Sequence, residues 1–139
     1  MKPTSATNQI AATCLCRRVR AVSRRITNLY DELLRPTGLT ANQLTVLVAV
    51  EKAGPIGPSA LGERLDMDKS TVSRTAARMV ERGWLEDSGS GGARRELVAT
   101  AAGRERLRAA HRLWRKAQRQ AHLMLGEELA AKLLAIPQD

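Results

Sequence analysis

The chain has 139 residues, enough for one domain and one main core. Its longest nearly apolar run, LTVLVAV at 44–50, falls far short of the ~20 residues of a membrane helix, and the MKPTSATNQIAAT start lacks the apolar centre of a secretory signal. A cytoplasmic protein without a membrane span is therefore expected, and its formal charge of +9, from 23 Lys and Arg against 14 Asp and Glu, points to a polyanion partner.

Residues 1–8, small and polar around Pro3, read as a flexible arm. One long helix follows over 9–36, where Leu15, Val19, Val22, Ile26, Leu29 and Leu33 recur at alternating spacings of four and three. That heptad-like stripe requires a helical partner, and Pro36 and Gly38 end the helix. Thr40 followed by Gln43 fits a capping box for a helix through Leu44, Leu47, Val48 and Val50, which stops near Gly54 and Pro55. SALGERL is a short third helix with Pro58 in its first turn. Asp68 is placed to cap a helix from Lys69 to about Arg82, with Gly83 as its left-handed C-terminal residue. The periodicity then changes: WLED and RRELVA read as two short strands joined by SGSGGA. Thr100 caps the next long helix, on which Leu107, Ala110, Leu113, Trp114, Ala117 and Ala121 form a second stripe. EELAAKLLAI is a last short helix ending at Pro137.

On the helix from Lys69, the apolar Val72, Ala76, Met79 and Val80 fall on one face. The other side presents Lys69, Ser70, Ser73, Arg74 and Arg78, with Thr71 beside them: short hydroxyls and cations that can donate to phosphates and base edges. The preceding helix, carrying Leu61 and Leu65, is separated from it only by DMD, which is helix-turn-helix spacing. A hairpin directly afterwards can lie along the DNA backbone and bring Arg94 or Arg95 to a minor groove.

The stretch LTANQLTVLVAVEKAGPIGPSALGERLDMDKSTVSRTAARMVERGWLED resembles the winged helix-turn-helix core of the MarR family of bacterial transcriptional regulators, most specifically in DKSTVSR and VERGWLE. The resemblance extends from about Cys16 to the Gly103 region. It implies a fold that is mainly α with a small β-hairpin wing: a DNA-binding lobe over 40–99, flanked by dimerisation helices over 9–36 and 100–136. It also implies a homodimer, whose second copy covers the two apolar stripes, on palindromic double-stranded DNA. Carried over by position, Ser70, Ser73, Arg74 and Arg78 become recognition-helix contacts, Arg95 the wing-tip arginine, and Ser59 and Gln43 backbone contacts. The family wing usually has an aspartate two residues before its arginine; Ala93 stands there, so an unbraced wing that orders on DNA is expected.

Cys14 and Cys16, two apart on a helix, would point about 200° apart and could not share a metal there. Cys16 precedes Tyr30 by fourteen residues, a spacing that resembles the organic-hydroperoxide sensors of the same family, in which a first-helix cysteine is oxidised and tyrosines contact it across the dimer. Two other sensor tyrosine positions hold Arg20 and Ala41. A small buried core cysteine is the competing reading. For a small-molecule effector, the resemblance implies a place at the junction of the dimer helices and the DNA-binding lobe, although the sequence names no pocket there and with so few large aromatics an aromatic cage is not expected.

No Ser, His and Asp constellation, phosphate-binding loop, paired carboxylates or metal-ligand spacing is present, so neither an enzyme nor a cofactor is expected. The rival to a sequence-specific repressor is an architectural protein that coats DNA without reading it. The charge excess at both ends of the chain suits that class.

Overall fold

A computed structural model describes residues 1–89 and 95–138. Helices α1 (Ser5–Thr13), α2 (Leu15–Leu34), α3 (Ala41–Ala53), α4 (Pro58–Leu65) and α5 (Lys69–Glu81) lead into strands β1 (Leu85–Asp87) and β2 (Leu97–Ala99). The long α6 (Ala101–Leu125) and the short α7 (Glu127–Leu134) follow, and a 3₁₀ turn, Arg35–Thr37, joins α2 to α3. The fold is thus mainly helical with one two-stranded antiparallel hairpin.

The N-terminus departs from the expected arm and single helix. Helix begins at Ser5, because the Thr4 side chain accepts from Thr7 N, and it breaks at Cys14, whose ψ of 105° leaves the helical region. Cys14 N closes α1 on Ile10 O and Cys14 O opens α2 by accepting from Arg18 N. The break leaves α1 carbonyls unpaired. Arg17 Nη1 and Arg18 Nη2 reach back to two of them, Ala11 O and Ala12 O, at 3.2 Å each.

Local chemistry fixes the other boundaries. Both arms of the Thr40–Gln43 capping box form, with Gln43 N donating to Thr40 Oγ1 at 3.2 Å and Thr40 N to Gln43 Oε1 at 3.0 Å. At the end of α5, Gly83 N donates to Val80 O and Trp84 N to Met79 O, both at 2.9 Å, with Gly83 at φ +74. This pair is a Schellman motif. Thr100 caps α6 by accepting from Gly103 N at 3.0 Å.

The hairpin is shorter than WLED and RRELVA suggest: Leu85, Glu86 and Asp87 pair with Ala99, Val98 and Leu97. Ile56 adds an antiparallel bridge to Leu97, tying the α3–α4 connection to the hairpin base. The core lies between α3, α4, α5, the hairpin and the first turns of α6, where Val46, Leu47, Leu61, Val72 and Met79 are fully buried. Each such side chain contributes about 1.5–3 kcal/mol by leaving water. The two terminal stripes divide: Ala110, Ala117 and Ala121 of the α6 stripe are buried within the protomer, whereas the start of the α2 stripe is not. Leu15 and Val19 of α2 are 74% and 57% exposed, and Leu123, Met124, Leu134 and Ile136 also remain in water.

A Cβ on Gly103 would stand 2.1 Å from Trp84 O, a backbone atom held by Thr100 N at 3.1 Å. Gly103→Ala is therefore expected to force α6 off the hairpin base and lower stability by about 3 kcal/mol in urea unfolding.

Candidate nucleic-acid interface

The site is built on α4, its turn and α5. The turn closes through Met67 N donating to Gly62 O at 3.0 Å, with Asp66 in the left-handed region at φ +49. That geometry seats α5 by Val72, Ala76 and Met79, all buried, while Val80 is half-buried. Lys69, Ser70, Arg74 and Arg78 consequently project into solvent, with Thr71 and Ser73 partly covered beside them. None of these cations has an ion-pair partner among the described residues. Asp68 occupies the N-cap position, but its side chain makes no capping hydrogen bond. The first-turn amides of α5 are therefore left to an external acceptor, as suits a phosphate. Ser59, in the first turn of α4, is exposed as a backbone contact requires.

Gln43 is a correction. Its side chain is only 9% exposed and its Oε1 is occupied by Thr40 N, so it secures the start of α3 and is not presented to DNA.

The wing also differs from expectation. Arg95 is exposed, and its Nε lies 2.7 Å from Asp87 Oδ2, on the opposite strand. Asp87 Oδ1 accepts from Gly89 N at 3.2 Å. The Arg95 hydrogen bond, with that of Gly89 N behind it, holds the Asp87 carboxyl below its ordinary pKa. The arginine is thus braced from β1, a role that the absence of an aspartate at Ala93 had seemed to leave empty. Ala93 and Arg94 themselves lie outside the described residues.

The sequence-predicted DNA contacts on α4 and α5 lie on elements that pack next to one another and, through α5, next to β1, and the redox candidates lie apart from them. Cys14 sits half-buried at the break between α1 and α2, so the two-on-one-helix geometry does not hold for it; Cys16 is exposed in the first turn of α2. Tyr30, about 21 Å further along α2, donates its hydroxyl to Gln118 Oε1 on α6, and burial raises its pKa. Beside it, at the junction where the sequence reading expects an effector but names no residues, lies a cleft. Tyr30, Lys52, Arg64, Arg108, His111 and Trp114, drawn from α2, α3, α4 and α6, line a space of about 1150 Å³, and the His111 and Trp114 rings stack at 6.0 Å. Periodicity had assigned Trp114 to an apolar stripe and gave no signal that it would share a wall with three cations.

Among known proteins, residues 37–96 match the MarR family model. The chain is 30% identical to the uncharacterised HTH-type transcriptional regulator YwoH of Bacillus subtilis over 84 residues, 60% of this chain and 61% of that protein. It is 33% identical to the multiple antibiotic resistance protein MarR of Escherichia coli over 72 residues, 52% of this chain and 50% of that one. The matched part therefore spans about half to three fifths of these relatives. The M. tuberculosis transcriptional regulator MosR, in a crystal structure with DNA, superposes with a TM-score of 0.71 at 26% identity, covering 88% of this chain and 93% of that one.

Replacing Asp87 with Asn is expected to free Arg95, seen as faster motion of the Arg95 Nε–H group by NMR relaxation. Because the folded-state pKa of Asp87 is depressed, the brace holds above the ordinary value of 3.8 and is lost as pH falls through the lowered one. The wild-type Arg95 signal should therefore mimic the Asn variant only below pH 3.8.

Proposed function

We propose that the chain is a member of the MarR family, which the matches to its family model and relatives support, and that it is a sequence-specific double-stranded DNA-binding transcriptional repressor that acts as a homodimer on a palindromic operator. The observation that carries this reading is the α5 surface: Lys69, Ser70, Arg74 and Arg78 stand free on a helix whose opposite face is locked into the core. The braced Arg95 lies on the adjoining hairpin. MosR, its structural neighbour, was crystallised with DNA, which supports the same use here. An architectural protein that only coats DNA would not require this array of short hydroxyls at base-edge reach.

Dimerisation is supported by the exposed Leu15, Val19, Leu123 and Leu134, which a second copy would cover. Two recognition helices related by a two-fold axis then address half-sites about one helical turn apart.

Relief of binding has two supported inputs. The cleft lined by Tyr30, Trp114 and His111 with Lys52, Arg64 and Arg108 suits a small planar anion: rings to stack on and cations for its charge. Cys16 is exposed, as oxidation by a hydroperoxide requires.

The test is a titration of an operator selected from random DNA against a random duplex at the same salt. A preference of ~10³ or more marks a sequence-specific regulator, and equal affinities mark a coating protein. Arg74→Ala should weaken operator binding by about 1–3 kcal/mol if it holds a base edge, whereas a change in salt slope alone would make it a phosphate contact. Under stoichiometric organic hydroperoxide, a Cys16→Ser variant should stay on the operator while the wild type leaves. Equal release of both would assign the signal to the cleft.

A further inference from the structure

The formal charge is unevenly placed. Residues 37–99, from the turn before α3 to the end of β2, carry eight lysines and arginines and eight aspartates and glutamates, so the whole excess of +9 belongs to the segments on either side of them. Helix α6 carries the larger net charge, but on α2 five arginines from Arg17 to Arg25 follow one another with no acidic residue among them. Arg17, Arg18, Arg24 and Arg25 line one groove of about 530 Å³ that ends at Asn28. All four are exposed, and none has a carboxylate partner among the described residues. The acidic residues nearest along the helix, Asp31 and Glu32, lie beyond its far end, and Asp31 already accepts from Ala41 N at 2.6 Å.

Two arginine pairs seven residues apart stand about 10 Å apart on nearly the same helical face. The α2 apolar stripe is centred about 120° further round and meets the groove only at Val22, so a dimer closed through the stripe leaves the arginines at its edge in water. Arg17 and Arg18 each lend one nitrogen to the α1 carbonyls, whereas Arg24 and Arg25 have no such task among the described contacts. Like charges crowded on one helix face are destabilising in the free protein, and a polyanion relieves them. Guanidinium groups in a row suit phosphate oxygens along a nucleic-acid strand better than one isolated anion.

The groove is also remote from the α5 surface. The N-terminal half of α2 projects away from the lobe: Asp31, near its C-terminal end, meets α3, and Arg17 lies about 21 Å before it. The principal neighbours of α2 are α6, α3 and the 3₁₀ turn rather than α4, α5 or the hairpin.

We infer that this face of α2 is a second, sequence-independent phosphate-binding surface, which holds a duplex segment other than the one read by α5 and lets an operator-bound dimer bridge two stretches of DNA. The inference rests on the reading of α5 as the operator surface. In the test, protein saturated with unlabelled selected operator is titrated with a labelled random duplex. Binding is expected, with a log–log salt slope of about −3.6 for four neutralised phosphates per face. An Arg24→Gln/Arg25→Gln variant, which keeps the arginines that serve α1, should lose about tenfold in second-duplex affinity with operator affinity within about twofold of wild type. Arg74→Ala should show the reverse pattern. No binding of the second duplex at about 100 mM salt, or equal binding by the double variant, overturns the proposal. Capture by phosphatidylserine vesicles in place of the second duplex overturns it too and assigns the face to a membrane surface. If the wild type shows no preference for its selected operator, it is the α5 reading that fails. The α2 face is then judged by the binding of free protein to random duplex, which the double variant must weaken for the proposal to stand.

Discussion

Helix α5, the hairpin and the outer helices are joined through the backbone of Gly83 and Trp84. Their N–H groups close α5 on Val80 O and Met79 O, while their carbonyls receive Thr100 Oγ1 at 2.6 Å and Thr100 N at 3.1 Å. Thr100 in turn caps α6, and Gly103 brings the first turn of α6 against Trp84 O. Three elements thus share two peptide groups. The Trp84 ring extends the junction: the guanidiniums of Arg82 and Arg106 lie over it at 5.2 and 5.6 Å, and Arg106 Nη1 donates to Thr37 O in the α2–α3 connection. Because these bonds are local and mutually dependent, the direction of α5 cannot change without carrying the base of α6 with it.

A neutral lobe between cationic helices separates two tasks that a uniformly basic protein would mix. With eight charges of each sign over residues 37–99, the lobe gains little from non-specific attraction, so in the proposed function its binding would depend on how well the α5 side chains and Arg95 meet one sequence. Long-range attraction comes instead from the outer helices. Some of their cations are occupied: Arg104 Nε pairs with Glu51 at 2.9 Å and Arg108 with Glu105 at 2.6 Å. Those of α2 from Arg17 to Arg25 have no carboxylate among the described ion pairs, and neither do Arg112, Arg115, Lys116 and Arg119 of α6.

What could be read from sequence was what depends on neighbours in the chain. The Thr40–Gln43 box, Gly83 and the Thr100 cap are set by side chains three or four residues apart, and the buried side of α5 follows from helical period alone. The break at Cys14 was not legible, since Thr13 and Cys14 carry no breaker and the carbonyls it exposes are met by arginines six residues on. Nor was the brace on Arg95, which comes from Asp87 across the hairpin, or the double meaning of Gln43, where one side chain fits both a cap and a DNA contact until burial decides. The cleft required the packing of four helices, information that no single segment holds.

The same packing constrains how a signal could reach α5. Asp31 ties α2 to Ala41 N, Glu51 ties α3 to Arg104, and the Gly83–Trp84 junction ties α6 to α5. The lobe and the adjoining ends of both long helices therefore move as one body, and bending inside the lobe would break buried contacts. The soft surfaces lie at the other ends, where Leu15, Val19 and Leu134 are uncovered and α1 is held by two exposed arginines. In the proposed dimer, a ligand or an oxidised cysteine would act by tilting whole protomers against each other at that interface. Helix α6 is the lever. With 25 residues it is about 37 Å long, so a tilt of about 5° displaces its far end by roughly 3 Å. Doubled by the two-fold axis, a shift of that size takes paired recognition helices out of register with successive major grooves.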